Sequence, residues 1–132
     1  MSSTFASTGL MAHSKALKAA GAAIKLVMRV PAPLKPIADQ VIRSASSVPA
    51  NLAEGHGRCG RDRVHFWRIA YASAKEVDSH LRFLVPAGAV SPAATNSALR
   101  SVRSLKTAPG AALAAVDGTV TRTSGLIWQH AT

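Results

Sequence analysis

Ser46-Ser47-Val48-Pro49-Ala50-Asn51-Leu52-Ala53-Glu54-Gly55-His56-Gly57-Arg58 is the stretch on which the reading of this 132-residue chain turns. Val41, Ala45, Val48 and Leu52 recur at three- and four-residue steps on both sides of Pro49, so the buried stripe of a helix runs through the proline. Proline removes one backbone donor and presses on the preceding turn, which predicts a kink eased by the Ser46 or Ser47 hydroxyl, not an end. Gly55 and Gly57 then read as a helix stop and a tight reversal, through left-handed conformations that glycine adopts at little steric cost. Asn51 and Glu54 share a face near that stop, and a carboxylate there opposes the local dipole and needs a partner. The backbone donors opening the next helix, Arg58, Arg61 and Arg63 are within reach. Glu54 therefore reads as a structural clamp in preference to a ligand or catalytic group, since no second carboxylate or base stands beside it at a fixed spacing.

Upstream, Pro36 suits the first turn of the helix that carries Pro49, where a missing donor costs nothing. Ile37 joins the inner stripe, Asp39 lies near the positive end, and Arg43 points elsewhere. Pro31, Pro33 and Pro36 make a short stiff connector that ends a first helix, expected from about Leu10 to Val30. Leu10, Leu17, Ala20, Ile24 and Val27 or Met28 form its inner side at about 100° per residue. Lys15, Lys18, Lys25 and Arg29 gather on an adjacent outer side as a basic stripe, for which a solvated helix face is the plainer reading. Residues 1–8 are small and polar and read as a flexible lead-in.

Downstream, a third helix is expected from Arg61 or Asp62 to Leu84 or Val85. Phe66, Ile69 or Ala70, Ser73 or Ala74, Val77, Leu81 and Leu84 are its inner face, the most sustained helical pattern in the chain. Trp67, Tyr71 and Phe83 flank that face, where they fill the seam with a neighbouring helix or with another subunit. Packing is preferred to nucleobase stacking for Trp67. Ser91-Pro92 is an N-cap followed by a first-turn proline. Leu99, Val102 and Leu105 then alternate with Arg100, Arg103 and Lys106, a second basic stripe. Pro109-Gly110 predicts a kinked or broken fourth helix reaching about residue 117, and residues 118–132 a weakly structured tail.

The composition fits one domain, residues 9–117, with a single core. Hydrophobic residues are 48% of the chain but aromatics only 5%, so the core must come from Ala, Leu, Val and Ile in closely approaching helices. Sixteen Lys and Arg against six Asp and Glu give a formal charge of +10, which predicts attraction to polyanions with strong salt dependence. Nucleic acid is the first such partner, and mere solubility the plainer reading. One cysteine, Cys59, cannot make an internal disulfide, which fits a cytoplasmic address. No apolar run reaches the roughly 18 to 20 residues of a membrane span. Residues 1–38 hold no acid and resemble a transit peptide in composition, yet their apolar spacing continues into the helical pattern.

Chemistry for an enzyme is missing. His56, Cys59 and His65 offer three metal-capable side chains at most, at no standard zinc spacing. Gly55-x-Gly57-x-x-Gly60 copies a dinucleotide fingerprint in letters but joins two helices, where that fingerprint requires a preceding strand. No Ser, His and Asp assemble into a nucleophile and base, and no metal or cofactor is expected. Arg58, Arg61, Arg63 and Arg68 cluster at the corner, and arginine suits bidentate phosphate contact. Without a helix-turn-helix, zinc-finger or RNA-recognition signature, the expectation is backbone or shape recognition in place of base reading.

These residues also carry a resemblance. A Ser-(apolar)-Pro-Ser-Asn-(apolar)-Ala-Glu-Gly core followed by Gly-Arg is the pattern of the bacterial four-helix-bundle proteins encoded by intervening sequences of large-subunit ribosomal RNA. That group is related to the accessory variability determinant of diversity-generating retroelements. Val48, Pro49, Asn51, Ala53, Glu54, Gly55, Gly57 and Arg58 match, and Ala50 replaces the second Ser. The likeness is good from about Ile37 to Leu84 and poor after Leu105. It implies an antiparallel four-helix bundle that assembles as a homo-oligomeric ring, often a pentamer. It also implies a basic surface for RNA or DNA and a reverse transcriptase, and no enzymatic activity. Joined to the residue-level reading, it makes Lys15, Lys18, Lys25, Arg29, Arg43, Arg58, Arg61, Arg63, Arg68, Arg100 and Arg103 the candidate nucleic-acid contacts. Pro49, Asn51, Glu54, Gly55 and Gly57 are the structural motif, and Trp67 and Tyr71 the oligomer interface. The rival readings are a protein–protein assembly module without nucleic acid, and a small enzyme or metal protein centred on Glu54, His56, Cys59 and His65.

Overall fold

Helix α2 (Lys35–His56) passes through Pro49 without a break. The computed structural model describes the backbone of residues 2–105 and the side chains of 11–105. Within them α2 follows α1 (Ser2–Val27) and a 3-10 turn (Ala32–Leu34), and precedes α3 (Gly60–Leu84). A fourth helix, α4, runs from 92 to 105, the last described residue. The described residues contain no strand, so the fold is all-α, as expected. The course of the chain from Lys106, with Pro109-Gly110 and the tail at 118–132, lies outside the described residues.

The stripe read through Pro49 is where the core lies. Val41, Ala45, Val48 and Leu52 are all buried, as is Pro49 itself. From α3, Ala70, Ala74, Val77, Leu81 and Leu84 meet them, and from α4, Ala98, Leu99, Val102 and Leu105. Each fully buried Val or Leu contributes roughly 1.5–3 kcal/mol. α2 packs against both α1 and α3, which makes it the element that the others are built on.

α1 corrects the expectation in two ways. It begins at Ser2, upstream of Leu10, so the expected lead-in belongs to the helix, and it ends at Val27. Its inner side is Ala16, Ala19, Ala20, Ala23 and Val27, whereas Leu17 is 53% exposed and Met28 73%. The smaller side chains win because they let α1 come close. All four helices converge on a seam lined by Ala16, Ala20, Ala45, Val48, Ala74, Val77, Val102 and Leu105. Its lining is alanine, valine and leucine, with no polar side chain to hold a ligand or a water. It is a packed seam, not a ligand pocket.

The connectors use the signals that the sequence carries. Leu34 donates to the Pro31 carbonyl at 2.9 Å and Val30 to that of Val27 at 3.2 Å, and Pro36 lies in the first turn of α2. At the far end, the Ala94 amide donates to Ser91 Oγ at 3.2 Å, the cap expected there. The buried Thr95 hydroxyl donates back to the Ser91 carbonyl at 2.8 Å.

Candidate nucleic-acid interface and the α2–α3 corner

The reversal from α2 to α3 is made differently from the expectation. Gly57 closes α2 with φ −76°, an ordinary right-handed value, and Gly55 lies within the helix. Of the corner glycines only Gly60, at φ 60°, takes the left-handed conformation, and it starts α3. Gly55 is glycine for another reason. A Cβ there would stand 2.6 Å from Trp67 Cδ1, 2.8 Å from Trp67 Nε1 and 3.1 Å from the Arg63 carbonyl. The close approach of the indole, not the backbone angle, requires a hydrogen at this position.

Arg63 holds the same corner. Its Nε donates to the Gly55 carbonyl at 3.2 Å, which also accepts from the Arg58 amide at 3.2 Å, and a terminal nitrogen donates to the His56 carbonyl at 3.4 Å, adding side-chain donors to the last carbonyls of α2. Its guanidinium also lies 5.7 Å from the Trp67 ring centroid. Glu54 has found Arg58, one of the expected partners, which donates to Glu54 Oε1 from Nε at 3.0 Å and from a terminal nitrogen at 2.7 Å. Asp62 flanks Arg58 on the other side at 3.9 Å, and Arg58 lies 4.7 Å from the centroid of Phe66. His65 packs edge-on against that ring.

Asn51 does not turn to Glu54. Its amide donates to the Ser47 carbonyl at 2.8 Å and to Ser47 Oγ at 2.9 Å. Ser73 Oγ donates to Ser47 Oγ at 3.0 Å, tying α3 to α2 two residues before Pro49. This small polar bridge inside the seam was not legible as such: Ser47 and Ser73 read as a helix-bend hydroxyl and an inner-face position, and only pairing of the helices brings them together.

The candidate cations separate into two groups. Arg58 and Arg63 are engaged as described, and Arg82, outside the candidate set, pairs with the largely buried Asp78. Lys15, Lys18, Lys25, Arg29, Arg43, Arg61, Arg100 and Arg103 are all exposed. None of these eight has a carboxylate partner among the described residues, where the ion pairs are those of Arg58, His80 and Arg82. Arg68 is exposed but has a partner of its own. Lys35 is a further exposed cation, outside the candidate set although it sits in the acid-free stretch 1–38. The described carboxylates are Asp39 and Glu54 on α2 and Asp62, Glu76 and Asp78 on α3, while α1 and α4 carry none.

Trp67 packs on Gly55 within the chain, and Lys75 lies 5.6 Å from the Tyr71 centroid; both aromatic residues remain partly exposed. His56, Cys59 and His65 do not converge, and the described residues hold no group of three or more side chains suited to a metal ion. Cys59 is exposed and unpaired at the start of α3.

Comparison with known proteins adds one match. The model of a family described as 23S rRNA-intervening sequence protein matches residues 9–108, which spans α2, α3, the described part of α4 and most of α1. No curated protein matches the chain.

Proposed function

The chain belongs to the 23S rRNA-intervening sequence protein family, and we propose that it is a non-enzymatic helical bundle that binds nucleic acid through its basic surface. The observation that carries this reading is the set of eight exposed lysines and arginines without carboxylate partners among the described residues, on a chain of formal charge +10. Cations left unpaired are available to phosphates, and each contact releases a counterion from the nucleic acid. The family's description, tied to 23S rRNA, favours RNA as the first ligand to try. The proposed setting is the cytoplasm. No helix among the described residues is long and apolar enough to cross a membrane.

The proposed architecture is an antiparallel bundle bent at Pro49 and assembled as a homo-oligomeric ring, with a pentamer as the expected size. Opposite helix directions are supported by the contacts along α2 and α3: Gly55 meets Trp67, while Ser47, nearer the start of α2, meets Ser73, nearer the end of α3. A bend is supported by Ser46 Oγ, which donates to the Arg43 carbonyl at 3.0 Å, a back-bond of the kind that accompanies helix curvature. Trp67 and Tyr71 keep partly exposed surface that a neighbouring copy covers in this reading. A reverse transcriptase is the further partner that the resemblance implies.

The test is binding of purified protein to RNA and DNA between about 50 and 200 mM salt, with native mass measured before and after nuclease treatment. A steep loss of affinity with salt supports the reading. Binding that is absent, or indifferent to salt, removes it in favour of a protein–protein assembly module. That second reading has its own support in the exposed Met11, Leu17, Met28 and Phe83, apolar surface suited to a protein neighbour.

A further inference from the structure

We propose that nucleic acid docks on α1 and that it is a duplex, held by its phosphates without base stacking. This rests on the nucleic-acid reading above and narrows it to one face and one class of ligand. At about 100° per residue Lys15, Lys18 and Lys25 fall within an arc of roughly 80°, and Arg29 follows in the turn after the helix. Ala16, Ala19, Ala23 and Val27, centred roughly 120° round the helix from that arc, are buried against the other helices. The lysines therefore point away from the bundle on a helix whose close alanine packing holds it in place.

Charge segregation marks this face, whose row of cations is longer than the pair Arg100 and Arg103 on the equally acid-free described part of α4. α1 has no acidic residue, and the first carboxylate in the chain is Asp39. At the α2–α3 corner, by contrast, Arg58 is shared between Glu54 and Asp62, and Arg63 is spent on the carbonyls of Gly55 and His56. The corner was the densest arginine cluster in the sequence, yet its charge is largely answered from within. The charge on α1 is not.

The aromatic residues decide between duplex and single strand. Proteins that hold single strands stack bases on aromatic side chains along a basic groove. Among the side chains described, the aromatics Phe66, Trp67, Tyr71 and Phe83 all lie on α3, and the one aromatic of α1 in the sequence, Phe5, is ten residues before Lys15. Three of their rings already face a cation: Phe66 faces Arg58, Trp67 faces Arg63 and Tyr71 faces Lys75. The described side chains of α1 include no Phe, Trp or Tyr, and its exposed surface joins these cations to Met11 and Leu17. From Lys15 to Lys25 the helix rises about 15 Å, a length over which a duplex presents about nine phosphate charges. A rigid row of cations with no stacking surface is suited to that density.

The experiment uses the full-length protein, 20-base-pair RNA and DNA duplexes, and the corresponding unpaired strands, with affinity read by fluorescence anisotropy at several salt concentrations. The wild type is expected to bind a duplex of either kind at least about tenfold more tightly than the single strands. Its log-affinity should fall against log-salt with a slope of about −3.5 for four phosphate contacts. The variant Lys15→Gln, Lys18→Gln, Lys25→Gln, Arg29→Gln should lose about a hundredfold or more and most of that slope. Lys75→Gln, one charge removed from α3, should change affinity less than about threefold. Circular dichroism and native mass check that the variants keep fold and assembly, as exposed positions allow. Tighter binding to single strands, or undiminished binding by the α1 variant, overturns this proposal while leaving nucleic-acid binding in place. No binding of any strand by the wild type overturns the broader reading of function as well.

Discussion

Replacing Gly55 by alanine sets two effects of known sign against each other. Glycine inside a helix costs about 1 kcal/mol relative to alanine, so at an open position Gly→Ala stabilises. At Gly55 the added methyl would come 2.6 Å from Trp67 Cδ1 and 2.8 Å from Nε1, about 1 Å inside ordinary carbon contact. The indole is rigid and cannot yield at a flexible tip, and the Arg63 carbonyl at 3.1 Å closes another direction. Either α3 moves away from α2 at its first turns or Trp67 leaves its place under Arg63. Overpacking of this kind costs about 1–3 kcal/mol, and the displaced Arg63 hydrogen bonds add about 1 kcal/mol. Against the gain in helix propensity, the net expectation is a loss of about 1–3 kcal/mol, or roughly 4–10 °C in Tm for a domain of this size. The assay is thermal and urea unfolding followed by circular dichroism at several protein concentrations, since assembly shifts apparent stability. A second background isolates the cause. In Trp67→Ala the obstacle is gone, so adding Gly55→Ala should be neutral or stabilising by up to about 1 kcal/mol. Equal cost in both backgrounds, or a stabilised single variant, would refute close approach as the reason for this glycine.

Three further outcomes follow from the corner and the caps. Gly60→Ala should destabilise by about 1 kcal/mol or more, because alanine resists φ 60°, while Gly57→Ala, at φ −76° with its nearest contact at 3.7 Å, should be neutral or gain up to about 1 kcal/mol; urea midpoints of the two variants compare them directly. Arg63→Ala should cost about 1–3 kcal/mol by removing the charged donor to the Gly55 and His56 carbonyls, whereas the exposed Arg61→Ala should stay within about 0.5 kcal/mol of wild type. Ser91→Ala removes the hydroxyl that accepts from the Ala94 amide and should lower stability by about 0.5–2 kcal/mol, with Ser91→Asp restoring it.

What was legible in the sequence depended on the kind of signal. Val41, Ala45, Val48 and Leu52 kept one periodicity across Pro49, and all four are buried, because helical phase survives the loss of a single donor. Leu99, Val102 and Leu105 were read correctly for the same reason. On α1 the expected inner positions Ala20 and Val27 are buried and Ile24 packs on the core, but Leu17, expected there because hydrophobicity ranks leucine above alanine, is exposed. Close helix approach instead selects Ala16, Ala19, Ala20 and Ala23 along the seam, with Val27 at its end, and leaves Leu17 and Met28 outside. No property of α1 taken alone reveals how near its neighbours come. The glycines show the same limit. Letters identify Gly55, Gly57 and Gly60 as conformationally permissive, but whether permission is needed for a positive φ, as at Gly60, or for an indole, as at Gly55, is decided by a residue on another helix.

The basic residues show why net charge overstates a binding surface. Arg58 could have been discounted from spacing alone: Glu54 lies four residues before it and Asp62 four after, and both are its partners. Arg63 could not, because its acceptors are backbone carbonyls exposed only where α2 ends and α3 folds back. A guanidinium that is needed to close a helix gives up affinity for phosphate, since its donors are already directed and moving them reopens the corner. Selection for a stable reversal and selection for a polyanion therefore draw on different arginines. The cations most open to the second task gather where a helix contains no carboxylate and ends in no tight reversal of this kind, with Arg43 and Arg61 as single additions from α2 and α3. α1 meets both conditions over the length where it is described, so a chain whose most arginine-dense segment is its α2–α3 corner presents its most available charge somewhere else.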